Sequence, residues 1–144
     1  MKSLKKAYLA GTLTHADQKI KKTYETISQV CNNAGIETYV PHVWGSDPKI
    51  NPEVEAKEVW KINQREIAVS NLFIAFVGEP SLGVGAEIEI ARITMSYVVL
   101  WWYTGQKVSK MTLGNPAVKE TIEAEDDQDL VKKLKVILNK KYEE

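Results

Sequence analysis

Residues 72–77 (LFIAFV) and 98–102 (VVLWW) are continuously apolar, with a segment of helical period between them. A strand with one wet face alternates; a run apolar at every position is a strand covered on both faces. Two such strands joined through a helix make a parallel crossover, so the chain is expected to form an α/β fold around a parallel sheet. The remaining elements fit that order. Residues 7–10 form a first strand ended by Gly11. Ala16, Ile20, Tyr24, Ile27 and Cys31 then recur along one helix face, and Gly35 stops that helix. Residues 38–40 make a short second strand and 41–52 a loop. A helix follows over 53–70, with Ala56, Trp60, Asn63 and Ile67 on one sheet-facing stripe. The helix over 83–96 turns Glu87, Ile90, Ala91 and Thr94 inward. After a loop holding Gly105, Ser109, Gly114 and Pro116, residues 118–122 form a last strand. Asp126 or Asp127 then caps a helix with Leu130, Leu134, Ile137 and Leu138 inward. The expected fold is one doubly wound domain over 1–144 with a five-stranded parallel sheet in the flavodoxin-like order 2-1-3-4-5, ligands binding at the carboxyl ends of strands one and three.

Charge and cysteine usage narrow the function. Lys+Arg and Asp+Glu both number 19, so no global field draws the chain to nucleic acid or to an anionic membrane. The lysines at 132, 133, 135, 140 and 141 alternate with apolar residues and read as a solvated helix face. Cys31 is the only cysteine, which excludes an intrachain disulfide and cysteine-clustered metal sites and fits a reducing, cytoplasmic setting. Residues 97–103 (YVVLWWY) are far too few to span a bilayer. Two isolated histidines, His15 and His42, make no metal site. His15 reads as a helix-start residue with Thr12 and Thr14, and His42 lies in the long loop with Trp44. Trp101 and Trp102 point to opposite sheet faces and serve the core and an interface.

The chemistry concentrates where strand three meets its helix. Gly83 and Gly85 let a ligand approach the backbone, the helix start offers free N–H groups to an anion, and Ser81 adds a hydroxyl. A tight turn with no ligand fits these glycines equally well. No Gly-Lys-Ser/Thr follows, and the third glycine of a dinucleotide fingerprint is missing, so ATPase and dehydrogenase readings lose support and no cofactor is expected. Glu87 lies one turn into that helix on its inward stripe. A carboxylate there needs a partner or a substrate.

These residues carry a resemblance. The run Pro80-Ser81-Leu82-Gly83-Val84-Gly85-Ala86-Glu87 resembles the signature of the nucleoside 2-deoxyribosyltransferase superfamily, nearest to the 2'-deoxynucleoside 5'-phosphate N-hydrolases. It extends to Tyr8-Leu9-Ala10-Gly11, to residues 70–75, and to Lys107-Val108-Ser109-Lys110-Met111 with Gly114. The resemblance implies that Glu87 is a nucleophile at C1' of the sugar and that Tyr8 lines the sugar site and orients it. It further implies that Gly11, Gly83 and Gly85 border the substrate, that Ser81 and the loop amides bind a 5'-phosphate, and that Ser109 reaches a phosphate in the neighbouring subunit of a homodimer. The expected partners are a nucleoside or its monophosphate. The chain departs from the family at Asn63, where an aspartate is usual eighteen residues before the loop serine. An amide cannot act as an acid, which leaves Asn63 to bind the base or a water and Glu66, one turn later, as a substitute acid. Base hydrolysis is the expected activity, with base exchange and silent nucleotide binding as alternatives.

Overall fold

The computed structural model describes residues 4–13, 16–44 and 52–143, and their side chains apart from 44 and 141–143. His15, the Trp44 side chain and most of the expected 41–52 loop lie outside the described residues. The elements are β1 (Lys6–Ala10), α1 (Gln18–Asn33), β2 (Glu37–Tyr39), α2 (Pro41–Trp44), α3 (Ala56–Ala68), β3 (Leu72–Phe76), α4 (Leu82–Ile93), β4 (Tyr97–Tyr103), α5 (Lys110–Leu113), β5 (Val118–Ala124) and α6 (Asp127–Glu143). All strand pairs are parallel, in the order β2-β1-β3-β4-β5 expected from the sequence.

The sheet divides the interior in two. Ala7, Leu9, Leu72, Ile74, Val99 and Trp101 point to the face covered by α1 and α6, packing on Tyr24, Ile27, Leu130 and Leu134. Their strand neighbours Tyr8, Ala10, Phe73, Ala75, Val98 and Leu100 point to the face covered by α3 and α4, against Ile67, Val84, Ile88 and Ala91. Every residue of β3 is buried because both faces are covered.

Three local readings need correction. The first helix starts at Gln18: Asp17 caps it by accepting from Ile20 N at 2.9 Å, so Thr12 is a buried residue before the helix rather than part of its start. Residues 41–44, expected as loop, form the single turn α2, and His42 is buried there with its ring 6.0 Å from that of Tyr24. The α3 stripe is only partly inward, with Ile67 buried but Trp60 and Ala56 exposed. A crossover helix between parallel strands runs against them, so the amino-terminal half of α3 belongs to the carboxyl end of the sheet, where packing gives way to solvent. At the other end of the chain, Asp126 caps α6 by accepting from Asp129 N at 2.8 Å. Among the described residues no helix is long and apolar enough to cross a membrane.

Candidate active site

Strand register builds the site's floor. Tyr8 pairs with Tyr39 of β2 on one side and Phe73 of β3 on the other, so the three rings stack in a row across neighbouring strands, 5.5 and 5.6 Å apart between centroids. Tyr8 is wholly buried, and a buried phenol needs a hydrogen-bond partner. That partner is Glu87 in the second turn of α4: the Tyr8 hydroxyl donates to Glu87 Oε2. Val84, Ile88 and Ala91 form the buried stripe of α4, and Glu87 flanks it on the side facing β1.

Burial pushes the Glu87 carboxyl up to about 7, the Tyr8 hydrogen bond acting in the opposite direction. Burial, and then the neighbouring Glu87 charge, raise Tyr8 well above the ordinary phenol range, so it stays a donor. The pair therefore holds a carboxyl that takes up or releases a proton near neutrality, with Oε1 not engaged by Tyr8.

The start of α4 opens on a cavity of about 330 Å³ lined by Ser81, Val84, Gly85 and Ile88, by Glu79, and by Lys107, Ser109 and Thr112 from beyond β4. Ser81 is the helix cap, its Oγ accepting from Val84 N at 3.2 Å, which leaves the hydroxyl proton to donate. A Cβ built on Gly85 would meet nothing within 4 Å, and one on Gly83 only Ser81 Oγ at 3.8 Å. Within this chain no contact requires either glycine, although glycine in a helix is about 1 kcal/mol less favourable than alanine. Gly11 differs: its Cβ would fall 2.2 Å from the Tyr24 hydroxyl, so internal packing already requires it. Ser109 caps the short α5 through Thr112 N at 3.3 Å and shares its own chain's cavity with Ser81. Gly83, Tyr8 and Glu87 are not on the cavity wall, although Val84 and Ile88 of the same helix are.

Asn63 is half-buried, and its Oδ1 is buried with no hydrogen-bond partner among the described residues. Glu66, the alternative acid, lies near enough for its charge to raise Tyr8. Its carboxylate pairs with Lys6 Nζ at 2.9 Å, at the first residue of β1 and so at the end of the sheet away from the α4 start. Sequence reasoning missed the stacking partners Tyr39 and Phe73, which only register reveals, and the charged lining residues Glu79 and Lys107.

A larger cavity, about 570 Å³, lies on the α1 and α6 side and is lined by Asp17, Glu79, Glu125, Asp126 and Asp127 against Lys19. That field opposes a phosphate ester, and the cavity has no glycine-rich helix start. Among the described residues no group of three or more histidine, cysteine, aspartate or glutamate side chains is placed to hold a metal.

No family model matches the sequence. A protein of Methanosarcina mazei provisionally named 2'-deoxynucleoside 5'-phosphate N-hydrolase 1 is 28% identical over 133 residues, spanning 90% of this chain and 81% of the relative. Among solved structures, the CMP N-glycosidase BcmB of Clostridium botulinum superposes with a TM-score of 0.72 at 20% identity, over 92% of this chain and 99% of that one. This is the nucleoside 2-deoxyribosyltransferase fold. A 2-deoxyribosyltransferase of Bacillus psychrosaccharolyticus shares it with a TM-score of 0.65 at 21% identity, over 88% of this chain and 90% of its own. Within the nucleoside 2-deoxyribosyltransferase fold, the Tyr8–Glu87 pair and the α4 start lie on the same side of the sheet, the α3 and α4 side.

Proposed function

We propose that the chain is an N-glycosidase that hydrolyses the base–sugar bond of deoxynucleoside 5'-monophosphates. The observation that carries this reading is Glu87: a carboxyl held by a buried tyrosine, titrating near neutrality, on a helix whose glycine-rich start opens on a cavity of about 330 Å³. The names of the relatives, N-hydrolase, N-glycosidase and deoxyribosyltransferase, support the same bond as the target.

In the proposed reaction, ionised Glu87 attacks C1' as the C1'–N bond breaks and its electron pair departs with the base. The base takes a proton from water, since Asn63 has none to give. Water then adds at C1', the ester opens, and deoxyribose 5-phosphate leaves with Glu87 restored. Tyr8 holds Oε2 and so directs Oε1 to the sugar. Ser81, the α4 amides and Gly85 face the phosphate.

Incubation with a panel of deoxynucleoside monophosphates and chromatography for free base tests the proposal. Release of base from at least one member, lost in Glu87→Gln, is expected; no release from any member at high enzyme concentration would refute it. A second free base added with an unphosphorylated nucleoside gives the exchange arm, and transfer without dependence on phosphate would move the reading to a deoxyribosyltransferase. The proposal includes a homodimer in a reducing, cytoplasmic setting, with Ser109 completing a neighbour's site. Light scattering that reports only monomer at assay concentration would remove the shared-site part.

A further inference from the structure

We propose that Lys107 and Glu79, opposite charges lining one cavity, together set the phosphate selectivity of the α4 cavity, Lys107 attracting the 5'-phosphate and Glu79 limiting how tightly it is held. The inference rests on the function proposed above and deepens it. Among the described residues lining the cavity, Lys107 and Glu79 are the only charged side chains. A phosphate monoester carries close to two negative charges near neutral pH. With Lys107 present the two side chains cancel, and the α4 start, twelve residues of aligned peptide dipoles, leaves the cavity attractive to an anion. Without Lys107 the remaining side-chain charge is the Glu79 carboxylate, set against a dianion. Among the described residues Lys107 has no ion-pair partner, so its ammonium group is available to a ligand. Its long stem lets it meet an incoming group rather than requiring a fixed position. Ser81 and Thr112 add hydroxyls that recognise phosphate oxygens without adding charge.

The two residues should therefore fail in opposite directions. Titration calorimetry with dAMP and dCMP, each beside its unphosphorylated nucleoside, reads this without relying on turnover. Lys107→Gln should weaken binding of the monophosphates by about tenfold, the scale of one charge-assisted hydrogen bond at a solvated site, and Lys107→Glu by more. Lys107→Arg should restore most of the loss. Glu79→Gln should tighten monophosphate binding severalfold, and raised salt should shrink both effects. Binding of the nucleosides should stay within about twofold in every variant. Equal losses for nucleotides and nucleosides in Lys107→Gln, no loss in either, or weaker monophosphate binding in Glu79→Gln would overturn the assignment. So would a parent protein that binds nucleotide no better than nucleoside. If the selectivity behaves as stated but no base is released, the roles of Lys107 and Glu79 stand and the proposed hydrolysis fails.

Discussion

Tyr8–Glu87 on one face of the sheet and Tyr103–Asp127 on the other are both tyrosine–carboxylate pairs, and these two differ in how completely the carboxylate is satisfied. On the α1 and α6 face, Tyr103 donates to Asp127 Oδ1 while Thr23 donates to Oδ2 at 3.1 Å, and Asp127 opens the 17-residue α6, where a negative charge suits the helix dipole. On the α3 and α4 face, Glu87 lies inside its helix, receives the Tyr8 hydroxyl on one oxygen, and is pushed up to about 7 by burial. The Asn63 carbonyl on the neighbouring α3 is also left without a partner among the described residues. Asp127 ties elements together. Glu87 is held short of satisfaction, which is the state expected of a group that reacts.

The largest expected effect separates the two carboxylates directly. Glu87→Gln should lower base release by more than about a thousandfold, while Asp127→Asn should change it by only a fewfold. Their stabilities should move oppositely. Asp127→Asn weakens a bond from Tyr103 or Thr23 and should destabilise by about 1–2 kcal/mol. For Glu87 the folded-state value of about 7 exceeds the ordinary 4.5, so its contribution is fully present below about 4.5 and is lost as pH rises through about 7. The parent should thus lose on the order of 3 kcal/mol between pH 4.5 and 8 from this group, a loss absent in Glu87→Gln. Thermal melting at both pH values checks it.

The tyrosines sharpen the contrast. Tyr8→Phe removes the one interaction that lowers the Glu87 value, so the carboxyl should titrate about one unit higher. The rise of kcat/KM with pH, tenfold per unit up to about 7 in the parent, should shift upward accordingly, costing about fivefold in activity at pH 7 and recovering above pH 8. An unphosphorylated nucleoside keeps the phosphate's own titration out of that profile. Tyr103→Phe should leave the profile unmoved and cost about 1 kcal/mol of stability.

Much of this contrast was legible in the sequence, and the parts that were not have physical causes. Fully apolar β3 and β4 announced a covered parallel sheet because no other strand environment tolerates such runs. Glu87 stood out because a carboxylate on an inward stripe needs an explanation. Tyr8 as its partner rested on resemblance alone, since pairing across 79 residues depends on strand register and helix placement. Helical period put Trp60 inward with Ile67, but period does not say where the sheet beneath a helix ends. Gly11 and Gly85 look alike as letters. Only coordinates show that Tyr24 fills the space beside one and that nothing fills the space beside the other. Glu66 lies one turn from Asn63, and its pairing with Lys6 follows from the direction in which α3 crosses the sheet.

Smaller effects belong to the α4 start. Ser81→Ala should weaken nucleotide binding a fewfold and cost about 1 kcal/mol, because the residue both caps the helix and faces the cavity. Gly85→Ala should stabilise the fold by about 0.5–1 kcal/mol while raising KM, since the new methyl enters unoccupied space. A parallel rise in stability and KM is the signature of a glycine kept for a ligand. Gly85→Ala that stabilised the protein without raising KM would return that glycine to a plain turn.

The central claim is that Glu87 forms a covalent bond to the sugar, and the stereochemistry of the product tests it most directly. With methanol present as acceptor, a deoxynucleoside monophosphate is converted to a methyl glycoside that does not interconvert between anomers, and proton NMR reads its configuration. Two displacements at C1' return the sugar with the β configuration of the nucleotide. Retention is the result this account predicts; an inverted, α-configured methyl glycoside would mean that solvent attacks C1' directly and that Glu87 is not the nucleophile.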